Sequence, residues 1–98
     1  MYIITLNLTE KKGEAAAHMA AHNEWIAKGF EDGVFLLVGG LKPQGGGAIL
    51  ATCDDRSEIE ARMAADPFVR EGIATAQIQE VSPARADQRL SSLKVAVA

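Results

Sequence analysis

The chain carries one cysteine, Cys53, so no disulfide can form within it. No stretch approaches the ~20 consecutive apolar residues of a membrane-spanning helix. From Met1 the sequence runs straight into strand-like residues, without the basic lead and apolar core of a signal peptide. Together these absences lead us to expect a cytoplasmic protein with no membrane partner. The ten lysines and arginines are scattered from Lys11 to Lys94 under a formal net charge of −3, and without a basic patch nucleic acid is not an expected partner. No Gly-Lys-Ser/Thr sequence occurs and no GxGxxG opens a helix, which argues against a nucleotide site. Histidine is scarce too. His18 and His22 have a spacing that can place two imidazoles on one metal, but no third ligand is evident, and Met19 stands where a zincin has its glutamate. No metal is expected.

The chain has 98 residues, 48% hydrophobic and 23% charged, which fits one folded domain with a single core. Tyr2, Ile4, Leu6 and Leu8 alternate with Ile3, Thr5 and Asn7, the period of a half-buried strand. Ala15 to Phe30 is alanine-rich and reads as a helix whose core stripe is Ala15, Met19, His22, Ile26 and Phe30, with Gly29 and Gly33 bracketing its end. Val34 to Val38 is a continuous apolar run suited to a strand buried on both faces. Gly39, Gly40 and the Gly45 to Gly47 cluster turn the chain into a third strand, Ala48 to Cys53, as a hairpin. Asp55 with Glu58, or Ser57 with Glu60, has the spacing of a capping box for a second helix through Ala65, whose Ile59 and Met63 face the core. Pro67 after Asp66 starts a short helical turn through about Arg70. Ile73 to Val81 returns as a fourth strand, with Ala74, Ala76 and Ile78 on one face and Val81 out of phase, as at a bulge.

The order βαββαβ predicts an α+β domain over residues 1–81, an antiparallel sheet with its helices on one face. The opposite face is left bare, and a second copy of the chain is the simplest cover. Residues 82–98 form an extension whose Leu90, Leu93, Val95 and Val97 are apolar enough to pack on the body or on a partner subunit.

His22 is the natural proton carrier near neutral pH, because an imidazole titrates near 6.5, where carboxylates and lysines do not. Asp66 is its candidate partner: a carboxylate on the imidazole fixes its tautomer and stabilises the imidazolium. A plainer reading stands beside this one, with His22 a core-edge histidine bonded to backbone and Asp66 a helix cap. Trp25 could line a pocket or pack in the core. Gly39 and Gly40 could form a pocket wall or only a turn, with Lys42 near them to hold an anion. Arg70 could pair with Asp66, bind a substrate or remain solvated. Cys53 is an improbable nucleophile, since Asp54 and Asp55 would raise its pKa.

The opening Met1, Tyr2, Ile3, Ile4, the helix with His22 and Trp25, the Gly39–Gly40 pair after an apolar strand, and Asp66, Pro67, Phe68 before the last strand together resemble the YciI-like (YCII-related) family. The resemblance runs to about residue 81. It implies a ferredoxin-like fold assembled as a dimeric α+β barrel, with a His and Asp pair between helix and sheet as the active site. Those positions fall on His22 and Asp66. The activity associated with a subgroup is elimination of chloride from a chlorinated hydroxyquinol. The expectation is therefore a homodimer in which His22 acts as general base or acid and Asp66 orients it, for cofactor-free proton transfer or elimination on a small, cyclic, oxygenated molecule. Its rivals are a small-molecule binder without turnover and a domain with only a dimer-forming role.

Overall fold

The computed structural model describes residues 1–91. The first strand, β1 (Tyr2–Leu8), buries Tyr2, Ile4 and Leu6 and turns Ile3 and Asn7 outward, so its alternation is realised. A 3₁₀ turn, Glu10–Glu14, leads into α1 (Ala15–Glu31). Thr9 caps the turn by accepting from the Lys11 N–H, and its own hydroxyl donates to the Gly72 carbonyl at 2.6 Å, which ties the helix entry to the last strand. Gly33, at φ +74°, ends α1 with its N–H on the Phe30 carbonyl.

β2 (Phe35–Gly40) and β3 (Gly47–Ala51) form the expected hairpin, and β3 stops two residues before the expected Cys53. In the connecting loop Gly46 has φ +87° and lies so close to β1 that a Cβ there would sit 2.3 Å from the Leu6 carbonyl oxygen. α2 (Arg56–Ala64) starts at Asp55, which accepts from the Glu58 N–H at 3.1 Å, so Asp55 rather than Ser57 is the cap. Ile59 and Met63 of α2 are buried. α3 (Pro67–Arg70) and β4 (Ala74–Glu80) complete the domain.

The four strands are antiparallel in the order β2-β3-β1-β4, the ferredoxin-like arrangement of a βαββαβ chain. Their register sets side chains in rows across the inner face. Phe35, Ala51 and Tyr2 make one row, Val38, Ile49, Ile4 and Ile78 the next, and Gly40, Gly47, Leu6 and Ala76 a third. Ile59, Met63, Phe68 and Ile73 close the core against these rows. The third row is built mainly of small residues, so the inner face is thinnest there.

Gly29 and Gly33 bracket the end of α1 as expected, and Gly29 is buried within the helix, where the Phe35 ring occupies the space of a missing side chain and an added Cβ would meet that ring at 2.1 Å. Three expectations need correction. The packed side of α1 accordingly runs through His22, Trp25 and Gly29, while Met19 and Phe30, expected in the stripe, are 42% and 45% exposed. β2 is not buried on both faces. It is an edge strand with a register shift between Phe35 and Leu37, and Leu37 is 56% exposed, because all the helices lie on the other side. No bulge is needed at Val81, which follows β4 and exchanges hydrogen bonds with Met1.

In the extension, a 3₁₀ turn at Gln88–Leu90 is capped by Asp87, and no residue from Ser82 to Ser91 is buried. Leu90 is exposed. Leu93, Val95 and Val97, expected to pack, lie outside the described residues.

Candidate functional site

The Ala65–Asp66–Pro67 corner sets the chemistry. Proline disfavours helical dihedrals in the residue before it, and Asp66 is extended (φ −61°, ψ 126°), which frees its side chain to cap α3. Its Oδ1 accepts from the Phe68 N–H at 3.1 Å. The same oxygen lies 2.7 Å from His22 Nδ1, across 44 residues of sequence. Asp66 is fully buried and the His22 side chain is 12% exposed, so the contact is shielded from water. Oδ2 is buried with no hydrogen-bond partner among the described residues. An ionised carboxylate only accepts, so with Asp66 ionised the ring hydrogen sits on Nδ1 and the Nε2 lone pair is left for another partner.

Phe68 lies face to face with the imidazole, centroids 3.9 Å apart and planes within 1°. Three consecutive residues thus supply the carboxylate, the helix start and a flat support for the ring. Trp25 stands one turn further along α1, 5.8 Å from the His22 ring and edge-on to Phe35. Its Nε1–H donates to the Arg62 carbonyl at 3.0 Å, joining α1 to the end of α2 just ahead of Asp66.

His22 lines a cavity of about 340 Å³ between α1 and the inner face of the sheet. Its walls are mostly apolar, with Leu6, Ile26, Val38, Ile49 and Phe68 among them and Met19 and Leu8 at exposed positions. Gly39, Gly46 and Gly47 complete the wall on the hairpin side.

The structure brings His22, Asp66 and Gly39 together and places the other candidates elsewhere. Gly40, beside Gly39 in β2, is outside the lining. Lys42 is exposed on the β2–β3 loop. Arg70 is exposed, with its side chain 3.5 Å from Glu71 rather than on Asp66. Trp25 lines a separate cleft between α1 and α2, with Val34, Cys53 and Arg62. Burial pushes the Cys53 thiol up; its hydrogen bond to the Asp55 carbonyl works against this, and the charges of Glu58 and Asp55 add to the rise. No group of three His, Cys, Asp or Glu side chains among the described residues is placed to hold a metal ion, and no helix among them is long and apolar enough to cross a membrane.

Two residues of this site carry no role in the sequence reading. Phe68 has a local signal, since it follows a proline at a helix start and its ring direction is set by that turn. Asn23 has none, because an asparagine next to His22 on a helix is indistinguishable from a solvated one.

No curated protein matches the sequence. Among solved structures, 5-chloro-2-hydroxyhydroquinone dehydrochlorinase from Burkholderia phenoliruptrix, in complex with 2,5-dihydroxybenzoquinone, superposes with a TM-score of 0.68 at 13% identity, covering 85% of this chain and 95% of that one. At that identity the likeness is one of fold. The family model of the YCII-related domain matches residues 1–82, and the chain belongs to that family.

Proposed function

We propose that His22 and Asp66 form an acid/base pair that moves a proton on a small molecule held in the adjoining cavity, without a cofactor. The observation that carries this reading is the 2.7 Å contact between His22 Nδ1 and a fully buried carboxylate, on a histidine that lines the cavity. In an elimination, Nε2 takes a proton from the substrate, the electron pair left behind forms the new double bond, and the leaving group departs as an anion. Asp66 stabilises the imidazolium meanwhile. An isomerisation needs only that the proton return to a different atom. The dehydrochlorinase activity of the structural neighbour agrees with the first route.

The reading includes a homodimer. On the outer face Leu37, Leu50 and Ile3 form one cross-strand row, with Ala48 and Thr5 in the next. A second copy packed there would remove this apolar surface from water.

The cap gives a second reading its support. Because Oδ1 also holds the Phe68 N–H, Asp66 has a structural task that needs no chemistry, and the cavity could serve a binder without turnover. Nitrogen NMR of the imidazole at pH 8 tests the acid/base pair directly. We expect His22 as the Nδ1–H tautomer, the minor form of free imidazole side chains, and we expect Asp66→Ala to abolish that preference while His18 stays unchanged. A His22 already in the Nε2–H form in the wild type would remove the pair from the mechanism.

A further inference from the structure

The sheet order leaves β4 at an edge, paired with β1 alone among the described residues. Met1 and Val81 exchange backbone hydrogen bonds at one end of this pair, and the Thr9 N–H reaches the Ile73 carbonyl at the other. Bonded and non-bonded pairs alternate along an antiparallel ladder, so Thr75, Gln77 and Gln79 turn their backbone groups to β1. Ala74, Ala76, Ile78 and Glu80 turn theirs to the open side. Among the described residues the Arg56 guanidinium is what meets them, 3.1 Å from the Ile78 carbonyl. β4 contains no proline or lysine and its register with β1 is unbroken, so it lacks the devices that commonly blunt an edge. Beside it runs a groove of about 370 Å³, whose lining includes Met63, Ala64, Val69, Ala76 and Ile78.

We propose that residues 93–97 of the same chain add to this edge as a fifth strand, antiparallel to β4, with Leu93, Val95 and Val97 set over the groove. The occupant is argued from its sequence, since these residues lie outside the described ones. Leu93, Val95 and Val97 alternate with Lys94 and Ala96, the period of a strand with one apolar face, and branched valines suit a pleated surface. Lys94 then falls on the opposite face, with Thr75, Gln77 and Gln79 of β4. Residues 82–92 supply the connection, and an antiparallel return needs only a loop, with no crossover. Pro83 cannot donate to a ladder, which helps end β4 before the chain turns back. In the paired state the N–H and C=O groups of Ala76 and Ile78 gain backbone partners, and Arg56 gives up the Ile78 carbonyl. The match to the YCII-related domain ends at residue 82, ahead of this segment.

Amide hydrogen exchange in the full chain, read residue by residue by NMR, tests the pairing. We compare the wild type with Val95→Asp, which sets a charge over the groove and leaves the described core untouched. The Ala76 and Ile78 amides should exchange about tenfold more slowly in the wild type, the change expected for one net backbone hydrogen bond. The Gln77 amide, already bonded to β1, should exchange alike in both proteins. Cross-strand proton contacts from Ala76 and Ile78 to residues 93–97 should accompany the protection. Equal exchange of Ala76 and Ile78 in the two proteins overturns the proposal, whether both are fast or both are slow. Protection that disappears on dilution assigns the edge to a second copy and overturns it as well.

Discussion

The two ends of α1 meet the sheet in opposite ways. At its C-terminal end Gly29 lets the helix down onto the Phe35 ring, and Trp25 and Phe30 approach the same ring edge-on. Towards its N-terminal end the helix faces the glycine-rich third row of the sheet, and Ala15, Met19 and His22 look into open space. One end is clamped and the other stands off. The difference teaches that the cavity follows from where the large residues stop: an aromatic wedge fixes the closest approach, and small residues beyond it leave room for a ligand.

The largest effect expected from disturbing this arrangement is chemical. Positioned acid/base groups typically contribute about 10² to 10⁴ in rate, so His22→Ala should lower kcat by that order; circular dichroism should keep its shape, while the unfolding midpoint should fall because the buried Asp66 loses its imidazole partner. At the clamped end Gly29→Ala sharpens the comparison. Alanine is the better helix former by about 1 kcal/mol, yet its Cβ would overlap the Phe35 ring, so we expect a net loss of about 1–3 kcal/mol in urea unfolding. A stabilised Gly29→Ala protein would show that α1 can lift at both ends. Asp66→Ala should cost about 1–2 kcal/mol through the lost cap alone, a loss that His22→Ala does not share.

The smallest effect is the response to acid. Asp32 is held below the usual carboxylate range by hydrogen bonds from Arg62 and then Lys28, which tie the end of α1 to α2. Asp55 is held down by Ser57 and the Glu58 N–H. Carboxyls with depressed folded-state values contribute stability that is complete above the unfolded value near 4 and lost as pH falls through the lower folded value. Unfolding measured from pH 6 down to pH 2 should therefore show stability declining below about pH 4, with a shallower decline in Asp32→Asn. Both groups are exposed and solvent-screened, so the change should be modest.

Much of this molecule was legible in its sequence. The alternation from Tyr2 to Leu8, the Asp55 cap and the Asp66–Pro67 break all rest on local rules, and all three appear where those rules put them. The meeting of His22 with Asp66 was suggested by residue chemistry and by family resemblance, since no local rule spans 44 residues. What could not be read depends on which element lies opposite. The close packing at Gly29 has no sign in the sequence until Phe35 is placed against it. The run from Val34 to Val38 looks doubly buried until the helices are seen on one face only. Trp25, Lys42 and Arg70 were attractive as polar or aromatic neighbours of the motifs, but side-chain direction on α1, on a loop and on one turn of α3 carries them away from the cavity.

That a single oxygen of Asp66 serves both the start of α3 and the imidazole has a bearing on how relatives should be judged. If the proposed acid/base pair operates, a descendant that abandons the reaction can replace His22 and keep the cap of α3, whereas replacing Asp66 removes that cap at the same stroke. Inactive members would then be expected to retain the aspartate long after the histidine has gone. In sorting active from inactive relatives, the histidine is the informative position, and an intact Asp-Pro-Phe segment by itself testifies only to the fold.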